Sequence, residues 1–231
     1  MQEFTENDKM VHLVQANPNL LPVIHRFGIR LGFGNKSVAE VCAAWQVNPA
    51  FFLAIVNTFH NNHYFPEEEL LAFSPLLIVD YLKKTHAYYI GFSLPQIEEL
   101  IHRLLESTPE QNNEMKMIEI FYLAYKKKLT EHIVEEEEQV FPFVEKLVRA
   151  PETLTDRVFD FNFEKDHEHV DLELDDLKNI ILKYMVPNYD ELVCNKLMEE
   201  IYRFEKDIRD HSRIEDAILI PQVMHILKAG K

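Results

Sequence analysis

The sequence predicts an all-α protein, with a small helical N-terminal domain followed by an up-down four-helix bundle. Three observations carry that reading. Glycine is scarce, at five residues in 231, and long stretches are rich in Leu, Glu, Lys and Ile, a helix-forming mixture. Beyond Pro75, apolar residues recur at spacings of three and four, the signature of one helix face. Four such stretches follow one another, and four amphipathic helices bury their apolar faces by packing together.

Residues 1–62 read as several short helices, broken at Asn17-Pro18-Asn19 and at Gly32-Phe-Gly-Asn-Lys-Ser37. Ser37 is placed to cap the next helix, Val38 to Trp45, and Glu40 three residues on completes a capping box. Residues 63–75 have the polar and proline content of a linker, which makes 76–231 the second domain. There the first seam is Val79, Leu82, His86 and Tyr89. Pro95 then begins a helical stretch to Leu105, which either extends the first helix or stands alone. The second seam runs Ile118, Tyr122, Tyr125, Leu129, His132, Glu136, Val140. The third is His167, Val170, Leu174, Leu177, Ile181, and the fourth Leu197, Ile201, Phe204, Ile208, His211, Glu215, Ile218.

Composition removes several function classes. A net charge of −15 argues against nucleic acid, because phosphate binding needs clustered Lys and Arg. The one basic run, Lys126-Lys127-Lys128, is soon followed by an acidic one. An acidic surface also repels anionic membrane faces, and no apolar run is long enough to span a bilayer. The N-terminus is polar and lacks the apolar core of a secretory signal. Cys42 and Cys194 form neither a disulfide framework nor a CxxC site, so the cytoplasm is the expected compartment.

The chemistry lies in polar residues on apolar seams. Each seam holds a histidine where Leu or Val would be expected: His86, His132, His167 and His211. Two seams add a glutamate one turn later, Glu136 and Glu215, and a proline ten residues after the histidine, Pro142 and Pro221. Residues four apart share a helix face, so each His–Glu pair can hold one metal or bridge two. Burying an unpaired carboxylate costs about several kcal/mol, and no Lys or Arg lies three or four residues from either Glu. Two iron ions would offset that charge, and carboxylate with imidazole suits iron better than zinc or manganese.

Bland readings cover much of the remainder. One His–Glu pair alone is commonplace on a solvated helix. His12, His25, His102 and His225 read as structural, and Glu135 to Glu138 as a solvated face except for Glu136. The third helix offers both His167 and His169. His167 shares its face with Val170, Leu174 and Leu177, which favours it.

Helices carrying His86, His132–Glu136, His167 and His211–Glu215, two of them closing on Phe141-Pro142 and Ile220-Pro221, resemble the hemerythrin-like domain of the RIC (repair of iron centres) proteins. Leu20-Leu-Pro-Val-Ile-His-Arg-Phe-Gly-Ile29 and Gly34-Asn-Lys-Ser-Val-Ala-Glu-Val-Cys42 resemble the small N-terminal domain of that family. The resemblance implies a hemerythrin-like bundle with two iron ions, oxo-bridged. His86, His132, His167 and His211 would be terminal ligands, and Glu136 and Glu215 bridges. It implies repair of iron–sulfur clusters under nitrosative or oxidative stress, with oxygen and nitric oxide as small ligands and damaged iron–sulfur proteins as partners. An oxygen or nitric oxide binding or sensing module is the alternative, and whether the chain is an enzyme stays open. The family's adjacent Cys pair is replaced by Gly32-Phe33, which removes thiol chemistry there and leaves docking or homodimerisation to that domain.

Overall fold

The computed structural model describes residues 3–107, 113–150, 164–185 and 188–229, with 113–115 and 164–172 described through their helical backbone alone. The described residues are almost wholly helical. They contain no strand, only an isolated antiparallel bridge between Lys9 and Ser37. No helix among them is long and apolar enough to cross a membrane. The chain divides into two compact units, Met1–Lys84 with Arg213–Lys231, and Thr85–Ser212.

The first unit begins with α1 (Met10–Ala16), α2 (Leu20–Arg26), α3 (Val38–Ala44) and α4 (Pro49–His60). The capping box expected at α3 is present. The Ser37 backbone N–H donates to Glu40 Oε2 at 2.7 Å, and the Glu40 N–H to Ser37 Oγ at 3.2 Å. That bonding holds the Glu40 carboxyl below its usual pKa, chiefly through the Ser37 backbone N–H. Asn48 caps α4 by accepting from the Ala50 and Phe51 N–H groups, and Pro49 occupies the first turn, where no amide hydrogen is needed. From Phe51 to Phe59 every residue of α4 is buried, as befits a helix apolar all round. The segment read as a linker contains a short helix, α5 (Glu67–Leu71), whose Leu70 is fully buried. Gln222 donates from Nε2 to the carbonyls of Leu71 and Phe73, at 3.0 and 2.7 Å, and so satisfies the end of that turn.

The second unit draws one core from α7 (Leu94–Glu106), α8 (Asn113–Glu135), α10 (Glu164–Tyr184) and α11 (Glu191–Ile214). The apolar residues of the expected seams fill it: Ile118, Tyr122, Tyr125, Leu129, Leu174, Leu177, Ile181, Leu197, Ile201, Phe204 and Ile208. Tyr122 donates its hydroxyl to the Leu94 carbonyl, tying α8 to α7, and burial pushes its pKa up.

Among the described residues, three short π-helical stretches interrupt the helices. Tyr89–Ser93 joins α6 (Pro75–Tyr88) to α7, Glu136–Val140 joins α8 to α9 (Phe141–Arg149), and Glu215–Leu219 joins α11 to α12 (Ile220–Ala229). The stretch beginning at Pro95 therefore continues the first helix. Each of these π stretches ends two residues before a proline: Pro95, Pro142 or Pro221. A proline inside a helix lacks an N–H, and its ring collides with the carbonyl four residues back. Here the helix widens by one residue instead of breaking. The N–H groups of Leu94, Phe141 and Ile220 reach five residues back, to the carbonyls of Tyr89, Glu136 and Glu215.

Candidate metal centre

Each π stretch lies just after a seam histidine. His86 precedes the first by three residues, while His132 and His211 precede the others by four. Glu136 and Glu215 are the opening residues of their π stretches. Wide turns of this kind recur at functional sites because they re-aim the side chains on either side.

Within the second unit three of these residues converge. His86, Glu136 and His211 are 1%, 0% and 4% exposed, and each offers a ligand atom within 4.8 Å of the other two. His86 Nε2 lies 3.2 Å from Glu136 Oε2 and 3.2 Å from His211 Nε2. The second Glu136 oxygen, Oε1, lies 3.0 Å from His132 Nε2. Glu136 thus presents one oxygen to each of two imidazoles, the arrangement a carboxylate needs to bridge two cations. Ligands at about 2.0–2.2 Å from a common ion can stand up to about 4 Å apart, and these pairs meet that limit.

Second contacts orient His86. Its Nδ1 is 3.1 Å from Oε1 of Glu137, and Phe141 stacks on its ring with centroids 5.4 Å apart and planes 19° from parallel. A hydrogen on Nδ1 donated to Glu137 turns the Nε2 lone pair toward Glu136 Oε2. Two acceptors facing each other need a positive centre between them, either a second proton on His86 or a metal cation. The donor set fits a cation: a fully buried carboxylate, three imidazoles, and a carboxylate behind one of the ligands, as metal-bound histidines commonly have.

Tyr89 meets His211 edge-on, with centroids 5.7 Å apart, and donates its hydroxyl to Asp207 Oδ1 at 2.9 Å. A cavity of about 10 Å³ lies beside the imidazoles, lined by Tyr89, Leu129, His132, Ile133, Ile208, His211 and Ser212. That is room for about one water-sized molecule.

No family model matches this sequence, and no curated protein matches it.

Of the six residues expected as ligands, His86, His132, Glu136 and His211 are brought together. Glu215 is buried, at 3% exposure, in the first unit. The side chain of His167 lies outside the described residues, as does that of its alternative, His169. Sequence reasoning placed Glu137 on a solvated face. Its carboxylate is instead partly buried against His86. Periodicity could not reveal this, because the partner stands 51 residues away on another helix. A sequence signal did exist for the third π stretch: Pro95 follows His86 by nine residues, close to the ten of the other two repeats.

Proposed function

We propose that this chain is a hemerythrin-like four-helix-bundle protein with a dinuclear iron centre, acting like the RIC proteins in repair of iron–sulfur clusters after nitrosative or oxidative damage. The observation that carries the metal reading is the Glu136 carboxylate, wholly buried, with one oxygen on His86 and the other on His132. Each oxygen faces a different imidazole, an arrangement in which one carboxylate can bridge two ions. Glu215 and His167 complete the proposed ligand set on sequence grounds. When bound, iron supplies redox change and open positions for a diatomic ligand. The protein's own part is to hold Glu136 dry, to orient His86 through Glu137, and to limit access to a space of about one small molecule.

The repair role rests on the family resemblance. A binding or sensing module for oxygen or nitric oxide is the second reading, and Gly32-Phe33 in place of the Cys pair favours it.

The deciding experiment is metal analysis with an optical spectrum on protein purified without added metal. Near two irons per chain, with ferric near-ultraviolet bands that bleach on reduction, supports the dinuclear centre. Absence of iron after anaerobic reconstitution with ferrous ion overturns it. Recovery of activity in a damaged iron–sulfur enzyme, compared with nitric oxide binding alone, then separates repair from sensing.

A further inference from the structure

Tyr89 holds the place in the first helical run that Glu136 and Glu215 hold in two later ones. Each opens one of the described π stretches, and each is followed six residues later by a proline: Pro95, Pro142 and Pro221. Where two of these repeats put a carboxylate, the first puts a phenol.

That phenol is held in one orientation. Its hydroxyl donates to Asp207 Oδ1 at 2.9 Å, one helical turn before His211. Its ring meets Phe204 edge-on at 5.2 Å with planes 88° apart, and His211 at 5.7 Å and 70°. The residue is 1% exposed. A side chain bonded at its tip and wedged against two rings cannot swing aside without disturbing the close-packed core around it.

Tyr89 also walls the cavity of about 10 Å³ beside His132 and His211. The other described lining residues belong to α8 and α11, so Tyr89 is the contribution of the first helical run. A space of this size takes about one water-sized molecule. A rigid wall that keeps a larger ligand out discriminates by clash, not by attraction.

We propose that Tyr89 sets the size limit of the metal centre. Its ring fills the space that a larger ligand would need beside His132 and His211, so a diatomic molecule reaches the ions and a ring-bearing one does not. This rests on the dinuclear reading above.

The test compares nitric oxide with nitrosobenzene, which approach ferrous ion through the same nitrogen and differ by a ring. Iron content is measured first on every protein. The wild type should bind nitric oxide and show no spectral change with nitrosobenzene. Tyr89→Ala should admit nitrosobenzene and move the ratio of the two affinities by at least about a hundredfold. Tyr89→Leu, a milder change to the core, should move it by at least about tenfold, and decides the matter if Tyr89→Ala does not fold. Tyr89→Phe keeps the ring and should keep the wild-type ratio. The ratio is the readout because a general loosening of the core changes both affinities together. An unchanged ratio in iron-loaded Tyr89→Ala or Tyr89→Leu, equal binding of the two ligands by the wild type, or a ratio in Tyr89→Phe as shifted as that of Tyr89→Leu would overturn the proposal and leave the metal reading standing. A wild type without iron would overturn the metal reading itself, and this proposal with it.

Discussion

The carboxylate of Glu137 holds Nδ1 of His86 at 3.1 Å, across two helical runs. The neighbouring residue, Glu136, faces the other nitrogen of the same ring at 3.2 Å. One imidazole is thus gripped on both sides by successive residues of one chain segment. The π stretch that opens at Glu136 is the local departure from regular helix in which both sit.

Glu137→Ala should leave the fold intact and weaken iron binding by about ten- to a hundredfold, the usual effect of removing the partner of a metal-bound histidine. Glu137→Gln, which keeps an acceptor, should weaken it less. Competition with a chelator of known affinity measures both. Equal affinity in all three proteins would show that Glu137 is only a surface neighbour of His86.

On the proposed di-iron reading, iron should raise the Tm of the wild type, and Glu136→Ala combined with Glu215→Ala should abolish both the binding and the rise. Metal that binds only the folded state stabilises it by mass action. Calorimetry with and without ferrous ion under nitrogen measures the shift. Retention of two irons by the double variant would remove both glutamates from the ligand set.

Replacing Pro142 by Ala restores an amide hydrogen and relieves the clash that favours the π turn. Helicity should hold or rise while iron occupancy falls, because Glu136 opens that turn. Circular dichroism and metal analysis on one sample read both quantities. Unchanged occupancy would show that the position of Glu136 does not depend on the proline.

Lys178 anchors an ion cluster in the second unit. Its Nζ lies 2.7 Å from Asp175 and 2.6 Å from Glu205, and Arg209 reaches Glu205 at 3.0 Å. Burial pulls the Lys178 pKa down, but hydrogen bonds to Asp175 and Glu205 more than offset this and leave it raised. The Asp175 pKa is lowered, chiefly by its bond to Lys178. A raised lysine pKa contributes stability in full below the ordinary value of 10.5, and this is lost as pH climbs through the folded value. The lowered Asp175 pKa contributes above 3.8, and this is lost as pH falls through its folded value. The Tm difference between wild type and Lys178→Met should therefore be widest between those limits and narrow beyond each. A difference constant from pH 3 to about 11 would mean that packing, not charge, explains it.

Gln46 adopts φ +58°, a left-handed conformation that favours glycine. It follows α3 as the turning residue of a Schellman cap, in which the Val47 N–H bonds the Cys42 carbonyl at 2.9 Å and the Gln46 N–H bonds the Ala43 carbonyl at 3.3 Å. Gln46→Gly should stabilise the protein by about 1 kcal/mol, read as a higher denaturation midpoint in urea. A lower midpoint would show that the Gln46 side chain contributes contacts worth more than the backbone strain.

Much of the candidate site was legible in one dimension. The spacing of His132 to Glu136 and of His211 to Glu215 is local, and helix geometry alone puts each pair on one face. The seams that became core, such as Leu129, Phe204 and Ile208, were legible for the same reason, since burial follows helical period. The capping box at Ser37 and Glu40 needed only three residues of chain. Tertiary structure alone decided which oxygen of Glu136 meets which imidazole, that Glu137 supports His86, and that Tyr89 lines one cavity with His132 and His211. Those partners are tens of residues apart. Period and propensity act over a few residues, whereas packing selects partners by distance in space, so only the folded chain reveals them.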